Sequence, residues 1–234
     1  SAADLAAAWA RLDGEAHALY VEQFCPFTRE LAVMVTRGKS ELRSAPGGLA
    51  PPEPKLASLP HSRETFALAT RGRGGREAEI VVYPVVDTVQ RDHICHTVVA
   101  PSQLPEAQAA AAADIGRRAV EAIAAVGSVG VEMFLMPDGR ILVNELAPRV
   151  HNSGHYTIEA CHCSQFENHI RAVLGWPLGS PALRAPAAAM VNLLGAADGP
   201  PMPTGLAEAL AVPGAHIHLY GKDRSAKGRK LGHV

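Results

Sequence analysis

The chain has 234 residues, 47% of them hydrophobic, and its 22 basic and 23 acidic side chains nearly cancel. This balance excludes the broad basic surface that binds nucleic acid or an anionic membrane, so we expect neither partner. No apolar run approaches the roughly 20 residues that a membrane-spanning helix requires. The 4 cysteines are too few for a disulfide scaffold, and Cys161 and Cys163 lack the second ligand pair of a zinc site.

The first third of the chain predicts one helix, a hairpin and an insertion. The run "SAADLAAAWARLDG" is helical in pattern, with Ser1 as a possible cap. The runs "ALYVEQF" and "RELAVMVTR" are typical of two strands, which we expect to form a hairpin through residues 25–28. Residues 38–78 are rich in Pro, Ser, Gly and Arg, which predicts a surface insertion with at most one short strand at "TFALAT".

The middle of the chain alternates strands and helices. "EIVVYPVV" and "HICHTVVAP" predict strands, and "VGVEMFLMPDGRILVNELAP" predicts a hairpin around its Asp-Gly pair. Pro105–Val126 predicts a helix of about 33 Å, because Pro lies in its first turn and Gly follows its end. A second helix, "SQFENHIRAVLG", is expected to end at Gly175.

The remaining residues predict a small β-rich unit with one short helix. It contains the runs "AAAMVNLLG", "TGLAEALA", "AHIHLYGK" and "DRSAKGRKLGHV". We therefore expect an α+β fold in two parts, a larger domain over residues 1–177 and a smaller one over residues 178–234.

Counting outward from the predicted turn at 138–139 places two carboxylates together. Leu135 then faces Leu142, and Glu132 faces Glu145, while Asn144 points to the opposite face. Two like charges about 4 Å apart repel by about 4 kcal/mol at an effective dielectric constant of 20. A divalent cation such as Mg²⁺ between them reverses that sign. The alternatives are that the glutamates splay into solvent, that one is protonated, or that a bulge breaks the register.

The second predicted strand continues into a polar run, "NELAPRVHNSGHYT". Arg149 suits a planar oxyanion because its guanidinium can bind two oxygens at once. His151 can donate or accept a proton near neutral pH. Together with Glu145 and Asn152 they indicate a site for an anionic substrate beside a metal.

Five runs of the chain resemble one enzyme family in order. They are "VEQFCPFTRELAVMVTRG", "YPVVDTVQRDHICHTVVAP", "GVEMFLMPDGRILVNELAPRVHNSGHYTIEAC", "SQFENHIRAVLGWPLG" and "HLYGKDRSAKGRKLGHV". The chain resembles the 5-(carboxyamino)imidazole ribonucleotide synthases, ATP-grasp enzymes of purine biosynthesis. It is also similar to the front part of the phosphoribosylaminoimidazole carboxylases of plants and fungi.

The resemblance implies a fold and an activity. The fold would be the C-terminal ATP-grasp subdomain, an antiparallel sheet backed by helices, followed by a small β-rich domain. ATP and bicarbonate would form carboxyphosphate, whose carboxyl group passes to the amine of 5-aminoimidazole ribonucleotide, with Mg²⁺ as the metal and Mn²⁺ as its alternative. The family also implies a homodimer, a possible downstream mutase-type domain, and a location in the cytoplasm or, in plants and algae, the plastid.

The resemblance also implies roles for the nucleotide-binding residues. Glu132 and Glu145 would bind the metal, in agreement with the hairpin count. Glu30 would hold the ribose of ATP. The adenine would lie against the strand edge formed by Glu22, Gln23, Phe24 and Cys25, with Asn144 completing the nucleotide site.

The remaining assignments concern the carboxyl acceptor. By resemblance, Arg149, His151 and Asn152 would surround bicarbonate and act in catalysis. Lys222 and Arg229 would bind the ribose phosphate, whereas Lys227, Lys230 and His155 receive no role.

Two departures from the family pattern leave alternatives open. Gln90 stands where relatives commonly carry His, and the family's N-terminal domain and first ATP-grasp portion have no counterpart before Ser1. One alternative is therefore an inactive remnant that binds nucleotide or mediates oligomerisation. Another is a different purine-pathway ATP-grasp ligase, such as the formate-using glycinamide ribonucleotide transformylase, which the "HNSGH" run and the tail disfavour.

Overall fold

A computed structural model of the chain describes residues 2–39 and 78–234. The predicted insertion falls almost entirely outside these residues, and so does the strand expected at "TFALAT". Within the described ranges no helix is both long enough and apolar enough to cross a bilayer.

All nine strands of the described chain form one antiparallel sheet. The strands are β1 Arg29–Arg37, β2 Ile80–Val82, β3 Val86–Arg91, β4 Ile94–Ala100, β5 Gly127–Leu135, β6 Ile141–Ala147, β7 Ala188–Leu194, β8 His218–Leu219 and β9 Lys230–His233. Their order in the sheet is β6-β5-β1-β3-β4-β7-β9-β8, and the short β2 pairs with β1 beside β3.

Helices cover both faces of this sheet. The helices are α1 Ala2–Arg11, α2 Glu106–Ala122, α3 Thr157–Ala160, α4 Gln165–Leu174 and α5 Leu206–Leu210. α2 follows Pro105 as predicted but ends four residues before Val126, where Ala124 adopts a φ of 49°. The predicted limits of α4 are confirmed: the Ser164 hydroxyl accepts from the Glu167 N–H, and Gly175 ends the helix at a φ of 73°.

The two faces of the central strand β1 serve two separate cores. Leu31, Val33 and Val35 belong to the core on one face, which includes residues of α2. Ala32 and Met34 belong to the other, with residues of β4, β7 and α3. Because both faces are covered, the middle of β1 reads as a continuous buried run rather than a half-exposed alternation.

The structure corrects the predicted N-terminal hairpin. The run "ALYVEQF" forms no strand, and β1 pairs with β5, β3 and β2 instead. Tyr20, Val21 and Phe24 are 82%, 81% and 83% exposed, so this segment buries neither face. Its β-branched and aromatic composition suggested a strand, but no neighbouring strand lies beside it in the described chain.

The strands predicted for the tail are present, and they continue the large sheet. β7 pairs with β4 from Thr97 opposite Val191 to Ala100 opposite Ala188. β9 then pairs with β7 on one side and with β8 on the other. The tail is therefore hydrogen-bonded to the central strands, and a domain boundary at residues 177–178 stays a prediction.

Candidate functional site

The hairpin of β5 and β6 has a different turn from the predicted one. Met136 N–H donates to the Arg140 carbonyl at 2.8 Å, so the loop contains three residues, with Gly139 last at a φ of 84°. Leu135 consequently faces Ile141, and the prediction that it faces Leu142 is wrong by one residue.

A β-bulge further along the hairpin restores the predicted carboxylate pair. The register shifts between Met133, which faces Val143, and Glu132, which faces Glu145. Asn144 is the extra residue of this bulge and has no partner on β5. The prediction that Glu132 faces Glu145 is therefore confirmed. The longer turn shifts the register by one residue, and the bulge at Asn144 shifts it back.

A third carboxylate lies on the same face of the sheet. Ala32 of β1 faces Glu132, and Glu30 lies two residues before Ala32, so its side chain points the same way. Burial raises the pKa of Glu132, and the nearby charges of Glu145 and Glu30 raise it further. This face therefore concentrates negative charge that has no full compensation within the sheet.

The donor set fits a hard divalent cation. Mg²⁺ commonly binds through one or two carboxylates and takes its remaining ligands from water and substrate phosphates. Glu132 and Glu145 provide such a pair, and a cation between them would offset the repulsion that, after burial, raises the pKa of Glu132. In the described part of the chain no group of three or more His, Cys, Asp or Glu side chains forms a complete metal cage. The pair is thus an open site that needs further oxygen ligands.

His151 lies directly over this acidic face. A Cβ built on Gly130 of β5 would come within 2.7 Å of the His151 Cβ, so the glycine makes room for the ring. His151 Nε2 lies 3.4 Å from Glu132 Oε1, and its Nδ1 accepts from Ser153 N–H at 3.4 Å. Burial, then Arg149 and Lys230, lower the pKa of His151 to about 4. The imidazole is therefore neutral at pH 7, with its proton on Nε2.

A buried glutamine fixes the loop that carries His151. Gln165, the first residue of α4, is fully buried. Its Oε1 accepts from His151 N–H at 2.9 Å, and its Nε2 donates to the His151 carbonyl at 2.7 Å. The amide thus pairs with both backbone groups of His151. This role was not predicted, because a Gln in the first turn of a helix is usually exposed.

Asn152 forms a reciprocal amide pair with Asn192 of β7. Each side-chain Nδ2 donates to the other Oδ1 at 2.8 Å. Asn192 also donates to the Cys95 carbonyl at 2.8 Å, and Lys230 Nζ donates to Asn152 Oδ1 at 3.1 Å. Neither Asn192 nor Lys230 was predicted, because each reaches the loop from a distant strand of the tail.

Arg149 stands at the exposed rim of the same loop. Its Nη1 donates to the Val150 carbonyl at 3.0 Å, and the side chain forms no ion pair in the described ranges. Its charge still acts on the site, because it lowers the pKa of both Glu132 and His151. The guanidinium is thus available to an incoming anion.

The predicted adenine segment precedes β1. Glu22, Gln23 and Phe24 are exposed and outside any strand, which contradicts the expected strand edge. Cys25 is partly buried, with its Sγ 3.5 Å from Met136 Sδ. Two residues later, Phe27 stacks on Phe134 of β5 with ring centroids 4.3 Å apart. The segment is therefore anchored only at its end, beside β5.

The environment of Glu30 includes the residue that departs from the family pattern. Burial raises the pKa of Glu30, and a hydrogen bond from Gln90 of β3 opposes that rise. A neutral amide at position 90 can therefore still partner the predicted ribose carboxylate.

Lys222 and Arg229 are not brought to the carboxylate face. Lys222 is exposed, and Arg229 Nη1 donates to the Arg224 carbonyl at 3.1 Å. Neither forms a hydrogen bond or ion pair with the loop of residues 149–152 in the described chain. Their predicted phosphate-binding role is untested by this geometry.

Two family models match the chain. One describes the ATP-grasp domain and matches residues 57–166. The other describes the phosphoribosylaminoimidazole carboxylase C-terminal domain and matches residues 188–234. The second begins where β7 begins, which places Asn192 and Lys230 in that domain and His151 in the other.

Named relatives agree with these matches. The chain is 41% identical over 222 residues to the phosphoribosylaminoimidazole carboxylase of Schizosaccharomyces pombe, covering 92% of this chain and 33% of the relative. It is 42% identical over 217 residues to the N5-carboxyaminoimidazole ribonucleotide synthase of Synechococcus elongatus, covering 92% and 45%. The chain thus spans a third to a half of the length of these curated relatives.

A solved structure matches the fold as well. The N5-carboxyaminoimidazole synthase of Aspergillus clavatus, in complex with ADP and 5-aminoimidazole ribonucleotide, superposes with a TM-score of 0.70. It is 36% identical, and the match covers 91% of this chain and 47% of that one. With its ATP-grasp sheet and its carboxylase-type C-terminal domain, the chain belongs to the ATP-grasp family of N5-carboxyaminoimidazole ribonucleotide synthases and phosphoribosylaminoimidazole carboxylases.

Proposed function

We propose that this chain is part of an enzyme that uses ATP and bicarbonate to carboxylate the exocyclic amine of 5-aminoimidazole ribonucleotide. The observation that carries the proposal is the opposition of Glu132 and Glu145 directly beneath His151. Solved relatives hold ATP, or ADP with 5-aminoimidazole ribonucleotide, and bicarbonate follows from the family resemblance. Because the relatives are longer, the proposed activity is that of the whole protein.

Glu132 and Glu145 would hold a divalent cation, Mg²⁺ or Mn²⁺. When bound, the cation would neutralise charge on the transferring phosphoryl group. Burial and the charges of Glu145 and Glu30 raise the pKa of Glu132, so a bound cation would stabilise its ionised form. Glu30 would accept hydrogen bonds from the ATP ribose, and residues 22–25 with Asn144 would complete the nucleotide site.

Arg149 and His151 would bind the carboxyl group that is transferred. The guanidinium can donate two parallel hydrogen bonds to a planar oxyanion. His151 is neutral at pH 7 because its pKa is about 4, so its Nε2–H can donate without adding charge. The backbone of His151 is fixed by Gln165, which keeps this donor in place while the substrates exchange. Lys222 and Arg229 would bind the ribose phosphate of the acceptor.

Two further features remain proposals drawn from the family. They are a homodimer and, in the longer fungal and plant relatives, a mutase-type domain that follows this part of the chain. The cellular location would be the cytoplasm or, for a plant or algal source, the plastid.

Release of ADP that depends on both bicarbonate and 5-aminoimidazole ribonucleotide tests the proposal. The chain should be assayed as given and again extended by its upstream coding sequence, with formate plus glycinamide ribonucleotide as the control substrate pair. Activity in either form supports the proposal. Bicarbonate-dependent activity in neither form would overturn it and favour a nucleotide-binding remnant, and turnover of the control pair would favour the other ligase.

A further inference from the structure

We propose that Lys230 is an oxyanion-binding residue of this site, aimed at the transferred carboxyl group by the paired amides of Asn152 and Asn192. The inference rests on the proposed function for the identity of the anion, a small carboxylate-class oxyanion such as bicarbonate. It assigns a role to a lysine that neither the motifs nor the resemblance singled out.

A contact with strand β4 determines which atoms of the two amides donate and which accept. Asn192 is 4% exposed, and its Nδ2 donates to the Cys95 carbonyl of β4. A carbonyl can only accept, so the NH₂ group of Asn192 must point there and its Oδ1 must accept from Asn152. Asn152 Oδ1 is then left facing Lys230, where a cation is the favoured partner.

The amide of Asn152 is therefore already engaged. Its Oδ1 accepts from both Asn192 and Lys230, and its Nδ2 donates to Asn192. The oxygen and one N–H of Asn152 are thus held, which fixes the orientation of the amide and leaves a single N–H. Asn152 acts as a positioning residue whose oxygen directs Lys230.

The ammonium group of Lys230 can donate further hydrogen bonds. It carries three donor protons and spends one on Asn152. In the described ranges it has no carboxylate within ion-pair distance, although the side chain is partly buried. Charges withdrawn from water are normally paired, so an anion that enters the site would complete the lysine's coordination.

The positive charge of Lys230 also affects other groups of the site. Lys230 lowers the pKa of Glu132 and, as a secondary contribution, that of His151. The contact of Lys230 with Asn152 places its ammonium beside the loop that carries His151 and Arg149. Lys230 and Arg149 are thus two cations at the same loop, next to the carboxylate pair under His151.

Binding of sodium bicarbonate to the chain as given tests the inference without requiring turnover. The amide signals of Ser153 and Gly154 in ¹H–¹⁵N spectra would report it at constant ionic strength. We expect saturable shifts in the unchanged chain and a dissociation constant raised about tenfold or more in Lys230→Met, because a charge-assisted hydrogen bond is lost. Lys230→Arg should stay close to the unchanged chain. Asn192→Ala should weaken binding by an intermediate factor.

Two variants make this result specific. Lys227→Met removes an exposed lysine of the same tail and should leave binding unchanged. Lys230→Gln keeps a donor for Asn152 without the charge, and it replaces Lys230→Met if that variant loses its native spectrum. If Lys230→Met and Lys230→Gln bind bicarbonate as tightly as the unchanged chain, the inference is overturned. An equal loss of affinity in Lys227→Met, or no saturable binding by the unchanged chain, would also overturn it.

Steady-state kinetics distinguishes a failure of the Lys230 assignment from a failure of the proposed function. In an active extended form, Lys230→Met should raise the KM for bicarbonate while the KM for ATP changes little. If no form turns over, the proposed function fails, but the bicarbonate titration still decides whether Lys230 binds an oxyanion.

Discussion

At the scale of single residues, burial and neighbouring charges determine the protonation of the side chains in this site. Glu132 is the clearest case, because burial and two neighbouring carboxylates act on it in the same direction and raise its pKa. His151 shows the opposite response, since burial and two cations keep it neutral. A cation bound between these carboxylates would offset their mutual repulsion, which is the physical reason to expect metal-dependent binding.

Changing Glu145 to Gln should remove Mg²⁺-dependent binding of ATP, because one carboxylate of the pair is lost. Without metal, the same variant should unfold at a slightly higher temperature than the unchanged chain, since the repulsion with Glu132 is relieved. Calorimetric titration with MgATP and thermal unfolding measure the two effects. Glu208→Gln, an exposed carboxylate on α5, is the matched control. Unchanged MgATP binding in Glu145→Gln would refute the metal assignment.

A second residue cluster makes stability depend on pH. Burial lowers the pKa of His155 to about 3 and that of His233 to about 4, from an ordinary value of 6.5. His233 stacks between His155 and His218, and it accepts or donates a hydrogen bond with Tyr220 at 2.8 Å. The native state therefore favours the neutral rings. The stability that they contribute is complete above about pH 6.5 and is lost as the pH falls toward the folded-state values.

The free energy of unfolding should accordingly fall by about 4 kcal/mol between pH 7 and pH 5.5, because His151, His155 and His233 each take up a proton on unfolding. Urea titrations at the two pH values measure this change. His155→Gln should show about two thirds of this dependence, whereas exposed His162→Gln should keep all of it. A pH dependence that is equal in all three proteins would show that these rings do not control it.

At the scale of helices and strands, the features that were predicted correctly are those that neighbouring residues determine. The limits of α4 follow from Ser164 and Gly175, and both cap it as expected. The pairing of Glu132 with Glu145 was also predicted, but the turn has one more residue than expected and the bulge at Asn144 compensates. Two opposite errors cancelled, because nothing local in the sequence distinguishes a two-residue turn from a three-residue turn followed by a bulge.

Because α2 packs closely on β1, we expect a Gly-to-Ala substitution in this helix to lower stability, although helix propensity alone would raise it. Replacing a helical Gly by Ala normally stabilises by about 1 kcal/mol. Gly116, however, is buried against β1, and a Cβ there would overlap Val33. Gly116→Ala should therefore destabilise the chain by about 1 to 3 kcal/mol, as overpacked substitutions do.

Exposed Ala111→Gly on the same helix is the reference substitution and should cost about 1 kcal/mol for propensity alone. Chemical denaturation measures both variants. A stabilised Gly116→Ala would mean that α2 lies farther from β1 than described.

At the scale of the whole molecule, the site depends on pairings between distant parts of the sequence. Asn192 and Lys230 reach the loop of His151 only because β7 pairs with β4 and β9 pairs with β7. Periodicity and turn signals identify strands, but they do not say which strands become neighbours. That is why the loop residues were predicted and their partners from the tail were missed, and why a lysine in a basic tail looked like a solvated charge.

The continuous sheet predicts that the tail and the central strands unfold together. Backbone amides of β7 should be protected from hydrogen exchange nearly as well as those of β1, because β7 is hydrogen-bonded on both sides. Exchange of peptides from Ala188–Leu194 and Arg29–Arg37, followed by mass spectrometry, tests this. As a control, the exposed segment at residues 18–24 should exchange rapidly. Early exchange of β7 alone would indicate an independently unfolding tail.

The central position of β1 also has a consequence for synthesis on the ribosome. β1 is buried along most of its length, yet its longest ladder is with β5, from Arg29 opposite Leu135 to Arg37 opposite Gly127. The nascent chain must therefore grow by about a hundred residues, or about 5 to 20 s, before that ladder can form. During this interval an apolar strand lacks its main partner, so slower translation through residues 38–135 should increase the dependence of the yield on chaperones.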